Sequence, residues 1–417
     1  MPEALDVLIV SLGSTGGLRA VDEELLGSLR RAGARAAIAF SDAPSAVRTL
    51  MLTDLRWARA ARRAASAELE RVRPRALIYS TTTAALLWPQ PGAIRFDAPA
   101  AANRGGRHGL WQRPLESRRL REAPLLLPQS EGALEELPVR VRRSLGPDDA
   151  FVLPVPIEPS SPFGVPLASG LSSSSGLPMS SGLRSSSGPP TSSGLRSSSG
   201  SPTSFGLRSS SGSPTSSGPS LSCRQHSPPG AALPSGPAGS SGPPARDIAA
   251  ITYAANPAKK GLDVVLDAWR RARRPGEEMI VVGAELERLR ALGYALPAEG
   301  VRVTGMLDQT DYRALLRRAR TYVCAARRED YGIAQLEALA DGCMLVTTPS
   351  PGPYVALAMA RELDPRLVGD NLAKALRSAL DEPTTGYAER ALSALAPLRR
   401  AEVDRMVAEK LLPRLLG

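Results

Sequence analysis

Aromatic residues make up 4% of this 417-residue chain, cysteine occurs three times and histidine twice. With so few rings, alanine, leucine and valine must supply most of any core, and a hydrophobic content of 42% provides enough of them. Cys223, Cys324 and Cys343 form neither a CxxC pair nor a Cys/His metal spacing. His108 and His226 are too few to complete a zinc site with them, so neither a disulfide framework nor a structural metal is implied. No run approaches 18 apolar residues, and the opening Met-Pro-Glu-Ala lacks a basic region and an apolar signal core. The expectation is a cytoplasmic protein with no membrane span.

Lysine is scarce as well. Of 52 basic residues only Lys259, Lys260, Lys374 and Lys410 are lysine, and the net charge of +11 is otherwise built from arginine. Stretches such as RRAASAELERVR set those arginines beside glutamates, as solvated helix faces do. A nucleic-acid footprint concentrates basic charge on one face among aromatic or polar base readers. That pattern is missing, so nucleic acid is not an expected partner. The arginine-rich first part could touch an anionic membrane surface, although no amphipathic stretch with apolar anchors compels it.

The strongest organisational feature is the middle of the chain. Positions 159–246 hold 31 Ser, 14 Gly and 15 Pro, with five Arg and no acid. The heptapeptide GLRSSSG recurs from Gly182, Gly194 and Gly206 above a six-residue spacing of glycines. That period is not the three of collagen, and no aliphatic residue holds a fixed slot per turn as a β-helix requires. Composition makes it a long disordered low-complexity insertion, spanning roughly 50 Å if free. Three parts follow: 1–158, the linker 159–246, and 247–417.

On both sides of the linker, strand-like and helix-like segments alternate. DVLIVSL (6–12), ARAAIAF (34–40), RALIYST (75–81), AIRFDA (93–98), APLLLPQS (123–130) and AFVLPVPIEP (150–159) form the first series, with helices expected over 20–32 and 54–72. IAAITYAA (248–255), EMIVVGA (278–284), VRVTGM (301–306), TYVCAA (321–326) and CMLVTTP (343–349) form the second. Helices are expected over 262–273, 312–319 and 333–340, with a final helical stretch over 387–416 broken near Pro397. The βαβα rhythm predicts two α/β units, each a parallel doubly wound sheet.

The residues that carry chemistry cluster in RREDYGIAQLEALADGC. Glu329 follows a strand, Gly332 opens a helix, and Glu337 lies eight residues beyond Glu329. The first N–H groups of such a helix, from Tyr331, Gly332 and Ile333, are free of intrahelical partners and can cradle hydroxyls or phosphates. The two carboxylates can accept bonds from vicinal sugar hydroxyls. Asp148 and Asp149 read as a turn pair, and the PSPGPY run (349–354) either lines this corner or is an ordinary turn.

Glu-x7-Glu followed by Ala-Leu-Ala-x-Gly resembles the donor-site motif of retaining glycosyltransferase family 4, whose fold is GT-B. NPAKKGLDVVLDAW (256–269) resembles the Lys-Gly element of that family, VVGA (281–284) its strand ending in glycine, and SLGSTGGLRAVDEELLGSLRRAG its opening loop. The resemblance implies two Rossmann-like domains facing across a cleft, and sugar transfer from a nucleotide-diphosphate sugar with retention of configuration. It implies no cofactor and no metal. By the same resemblance Lys260 neutralises the donor diphosphate, Glu329 binds sugar hydroxyls together with the N–H groups of Gly332 and Ile333, and Glu337 holds the ribose. Gly16 and Gly17 let the first loop approach phosphate or acceptor.

Two positions depart from the family. Where it has an arginine five residues before the lysine, this chain has Ala255; Lys259, Asn256, Arg327 or Arg328 could supply the missing donors. Where it ends a first-domain strand with histidine, this chain has Phe96 and then Asp97; Asp97 or His108 could serve at the reaction centre. The acceptor (glycan, lipid or small metabolite) is unread. A degenerate sugar-nucleotide-binding scaffold of the same fold is the alternative. A nicotinamide-dependent sugar-nucleotide enzyme is a weaker rival, since G-x-G-x-x-G and Tyr-x3-Lys are both missing.

Overall fold

A computed structural model describes residues 3–45, 50–103, 106–160, 246–297 and 299–417. The repeat-bearing linker, with Cys223 and His226, lies outside the described residues, as does the side chain of His108.

The first half builds a parallel sheet from β1 (Glu3–Ser11), β2 (Ala36–Phe40), β3 (Val72–Tyr79), β4 (Ala93–Phe96) and β5 (Leu126–Pro128), in the order β2-β1-β3-β4-β5. The central strand shows why its apolar run is continuous. Val7 and Ile9 pack with Leu25, Leu29 and Leu127 on one face, while Leu8 and Val10 pack with Leu77, Tyr79 and Ile94 on the other. A strand covered on both faces needs apolar residues at odd and even positions alike.

The second half repeats the scheme with β6 (Ile248–Tyr253), β7 (Met279–Val282), β8 (Val301–Gly305), β9 (Ala319–Cys324) and β10 (Met344–Thr347), in the order β10-β9-β6-β7-β8. All pairings are parallel. In each sheet the chain first runs to one side of the founding strand and later returns to the other. The reversal falls between β1 and β3 in the first sheet and between β6 and β9 in the second. At such a switch point the loops leaving the carboxyl ends of adjacent strands diverge and open a crevice.

Three expectations need correction. AFVLPVPIEP is not a strand: Pro154 and Pro156 remove ladder donors, and only Ala150 forms an isolated bridge, to Leu126. The stretch instead runs extended with Leu153, Val155 and Ile157 buried. The first helix begins at Gly16 rather than near Ala20, because Thr15 is extended and its hydroxyl accepts the Leu18 N–H at 3.1 Å. Gly16 and Gly17 therefore form the first helical turn, with open space where a Cβ would stand, and the left-handed glycine of the loop is Gly13 at φ +55°. Finally, the 75–81 strand stops at Tyr79, since Thr81 caps a short helix, Thr82–Ala85.

The two halves make one compact unit. The C-terminal stretch breaks at a 3-10 turn, Ala396–Leu398, and resumes at Arg400. There Val403, Val407 and Leu411 join Val7, Ile9 and Leu25 in the core under the first sheet. Arg31 bonds both oxygens of Asp404 at 2.6 and 2.9 Å, and Arg400 those of Glu24 at 2.8 and 3.1 Å. Among the described residues no helix is long and apolar enough to cross a membrane.

Burial alone would raise the Asp404 carboxyl, but Arg31, Ser28 and Arg400 together outweigh it and hold the group below 3.8. A depressed pKa contributes stability that is complete above about pH 4 and is lost as pH falls through the folded value. Asp404→Asn is expected to cost on the order of 1 kcal/mol at neutral pH, as for a half-exposed pair, and almost nothing in acid. Leu411→Ala should cost about 3 kcal/mol at either pH. Urea unfolding at both pH values, with hydrogen exchange at Val7–Val10, checks both expectations.

Candidate functional site

Both motifs singled out in the sequence leave the second sheet at its switch point. The Lys-Gly turn follows β6 and the Glu329 loop follows β9, and these two strands are neighbours. Gly261 brings the turns together. It sits at φ +62°, and a Cβ there would lie 1.9 Å from the Ala325 carbonyl oxygen. The turn is also laced to the strand end by backbone bonds: Arg327 N–H donates to the Lys259 carbonyl at 3.0 Å, and the Asn256 side chain accepts from the Lys259 N–H at 3.1 Å.

Two consecutive lysines then meet two consecutive acids. Lys260 Nζ lies 2.5 Å from Glu329 Oε2, and Lys259 Nζ lies 3.1 Å from Asp330 Oδ2. Glu329 and Asp330 are 6% and 7% exposed, so both carboxylates are buried and a cation is required beside each. Gln335 adds a second donor to Glu329 Oε2, at 3.0 Å. The PSPGPY run supports the loop from behind: the Glu329 N–H donates to the Pro351 carbonyl, and Gly352 (φ +113°) lets the backbone pass 2.3 Å from where its Cβ would meet the Glu329 carbonyl.

Gly332, at φ +92°, caps the helix Ile333–Ala340 with its Cα against the Tyr354 ring. The N–H groups of Gly332 and Ile333 lie in the unpaired first turn of that helix, beside Glu329. Glu337 sits one turn further on. Gln309 Nε2 donates to its Oε1 at 3.2 Å, and Arg313 Nη1 lies 3.5 Å from the same oxygen. Burial raises the Glu337 carboxyl above its usual range, opposed by Arg313 and Gln309. Arg313 also binds Asp341 through two nitrogens and donates to the Glu158 carbonyl at 2.7 Å, tying the second carboxylate to the segment that leads out of the first half.

From the first half, Asp97 follows β4 and its carboxyl accepts the Ala98 N–H at 2.8 Å. Its side chain is open to solvent, yet the protein packed around it and then the charge of Asp330 push its pKa up, with Lys259 acting in the opposite sense. Asp97 is thus within electrostatic reach of the Lys259–Asp330 pair although it belongs to the other sheet. Gly16 and Gly17 lie beyond the carboxyl end of β1, at the first switch point, and among the described residues nothing lies within 4 Å of where their Cβ atoms would stand.

Of the donors proposed in place of an arginine at position 255, Lys259 faces the acids, whereas Arg327 turns to Asp263 at 2.9 Å and Asn256 is occupied in the turn. Arg328 bonds Asp330 at 2.8 Å and reaches Glu136 of the first half at 2.5 Å. Sequence reading missed Asp330, Gln335, Arg313 and this bond across the halves. Gln335 did carry a signal, as the one amide in the apolar run IAQLEALA. A further missed group is Arg95 in β4, 1% exposed and 3.9 Å from buried Asp22. Asp22 accepts from Ser11, whose hydroxyl in turn accepts the Gly13 N–H, so this buried pair underlies the first glycine loop.

Residues 239–391 match the family described as Glycosyl transferases group 1. Glycogen synthase of Mycobacterium tuberculosis is 34% identical over 133 residues, which cover 30% of this chain and 32% of the relative. The matched stretch thus spans about a third of the curated relative's length. Among solved structures, Alr3699/HepE of Anabaena in complex with UDP-glucose has a TM-score of 0.57 at 12% identity, over 98% of this chain and 99% of the other. WaaG, a glycosyltransferase involved in lipopolysaccharide biosynthesis, gives 0.56 at 13% identity over the whole of both chains. With two parallel five-stranded sheets, these likenesses establish the fold as GT-B.

Gly261→Ala is expected to cost about 3 kcal/mol or more, since it combines a left-handed backbone with a clash against fixed carbonyl oxygen. Gly17→Ala, which meets open space, should cost 1 kcal/mol or less or even stabilise the helix. Thermal unfolding of the two variants checks the contrast.

Proposed function

We propose that the protein is a glycosyltransferase that moves a sugar from a nucleotide-diphosphate sugar to an acceptor, with retention of configuration, in the manner of family 4. The carrying observation is the Lys260–Glu329 pair at the β6/β9 switch point, beside a free helix N-terminus and one turn from Glu337. The match over residues 239–391 and the UDP and UDP-glucose held by the HepE structures support a nucleotide sugar as donor.

In this reading the donor enters as an anion and takes Lys260 from Glu329. A diphosphate offers more charge and more acceptor atoms than one carboxylate, and the exchange leaves Glu329 to accept bonds from sugar hydroxyls. Lys260, with Lys259 beside it, then stabilises the charge that develops on the leaving diphosphate as the glycosidic bond breaks, so metal-independent transfer is part of the proposal. The N–H groups of Gly332 and Ile333 steady the sugar, and Glu337, ionised, accepts from the ribose. Gly16 and Gly17 keep the opposite loop low so that acceptor or phosphate can approach. Retention needs the acceptor on the face from which the nucleotide departs, so positioning dominates and no enzymic nucleophile is required. Asp97, from the first half, is the base assigned to receive the acceptor's proton. Peripheral contact with a membrane and a cytoplasmic location belong to the same proposal.

Calorimetry with ADP, GDP, UDP and their sugar derivatives should show selective binding of one base, reduced tenfold or more by Glu337→Ala. Equal binding by the variant would sink the assignment of Glu337, and binding without transfer to any acceptor would favour the scaffold reading. Because Glu337 must be ionised, donor affinity should fall as pH drops through its raised pKa, and Glu337→Gln should flatten that limb. Transfer should persist in EDTA. Asp97→Asn is expected to lower kcat at least tenfold with little change in donor affinity; unchanged turnover would remove Asp97 from the mechanism.

A further inference from the structure

Gln335 is 1% exposed, in the first turn of the helix Ile333–Ala340, and its amide faces the Glu329 carboxylate. An ionised carboxylate only accepts hydrogen bonds, so the amide must present its NH2 group there. Nε2 lies 3.0 Å from Glu329 Oε2 and 3.0 Å from Cys324 Sγ. That orientation has a consequence on the other side of the group. Gln335 Oε1 is buried without a hydrogen-bond partner among the described residues, against Gly332, whose hypothetical Cβ would stand 3.5 Å from it. An orphaned buried carbonyl oxygen is destabilising, and an apolar side chain of the same shape would avoid it.

A second asymmetry lies on Glu329 itself. Lys260 Nζ and Gln335 Nε2 converge on the same oxygen, Oε2, and among the described residues no donor reaches Oε1. When an anionic donor draws Lys260 away, the amide of Gln335 is the contact that remains to fix the rotation of the carboxylate.

We propose that Gln335 is a positioning residue. It clamps Oε2 of Glu329 so that Oε1 faces the transferred sugar, and so sets affinity for the sugar portion of the donor rather than for the nucleotide. The inference rests on the function proposed above for Glu329. It predicts that nucleoside diphosphates, which carry no sugar, do not register the residue.

The test is calorimetry on the full chain with UDP, ADP and GDP and with UDP-glucose, ADP-glucose and GDP-mannose, comparing the wild type with Gln335→Met. Methionine nearly matches the volume, removes the donor and removes the orphaned oxygen. The melting temperature should hold or rise and affinity for the diphosphate should stay within about twofold. Affinity for the sugar nucleotide should fall about tenfold, as expected for one lost bond to a charged group. Unchanged sugar-nucleotide affinity overturns the inference. So does an equal loss for both ligand types with a lower melting temperature, which assigns Gln335 to the packing alone. If the wild type binds no nucleotide at all, the function proposed for the site fails first and the inference falls with it.

Gln335→Glu gives an independent reading. It sets a second carboxyl against Glu329, and two such groups share a proton when the pH is low enough. Measured as a ratio to the wild type at each pH, which cancels the titration of Glu337, sugar-nucleotide affinity should be lost at neutral pH and partly regained as the pH is lowered, while the ratio for the diphosphate shows no such recovery. A sugar-nucleotide ratio that does not change with pH overturns the inference.

Discussion

The close approach of Gly261 to the Ala325 carbonyl is the constraint on which the site depends. A 1.9 Å gap at the position of a missing Cβ means that two loops from neighbouring strands touch backbone to backbone. Only that contact lets Lys260 and Lys259, on a turn after β6, meet Glu329 and Asp330, on a loop after β9. The left-handed Gly332 and Gly352 perform the same service on either side of the acids, where Tyr354 and the Glu329 carbonyl leave no room for a side chain. Glycine here is a requirement of space and of backbone conformation together.

With the loops so close, electrostatics decides how the charged side chains pair. Two buried carboxylates are stable only with cations beside them, and each receives one. The two acids are thus neutralised internally by the two lysines. In the transfer proposed above, binding and orientation would become one event, since the anion that takes Lys260 would also free Glu329. Arg328 extends the pairing to Glu136, so the acids of the second half are in register with a residue of the first.

The halves are joined by more than the linker. Tyr331, two residues beyond Glu329, accepts the Val155 N–H through its phenol at 3.0 Å, and burial helps push that phenol up to about 12, so it remains a neutral partner. Glu158 receives the Arg400 N–H, and the helices that follow complete the core of the first sheet. The extended 150–160 segment can make these contacts because its prolines keep it out of either sheet.

Much of the fold was legible in local pattern. Apolar runs marked all ten strands with boundaries shifted by a few residues, β5 among them although only three of its residues pair, and one further run, 150–159, is not a strand. The helix over 333–340 was read correctly from apolar spacing and a glycine at its start. The failures have local physical causes that a run of residue types conceals: Thr15 capped a helix four residues early, and two prolines turned an apolar run into a connector. Within the candidate site, two spaced carboxylates at a strand–helix corner drew attention to Glu329 and Glu337, and the family resemblance added Lys260 before its glycine. Only tertiary structure decided their partners. Gln335, Arg313, Asp330 and Glu136 lie between two and almost two hundred positions from the groups they touch, and which donor meets which oxygen follows from strand order and from the gaps left by three glycines. Sequence alone determined the alternation, the charged residue types and the break between the halves, because these are properties of neighbours along the chain. The pairing of charges belongs to the fold, because it is set by distances across the sheet.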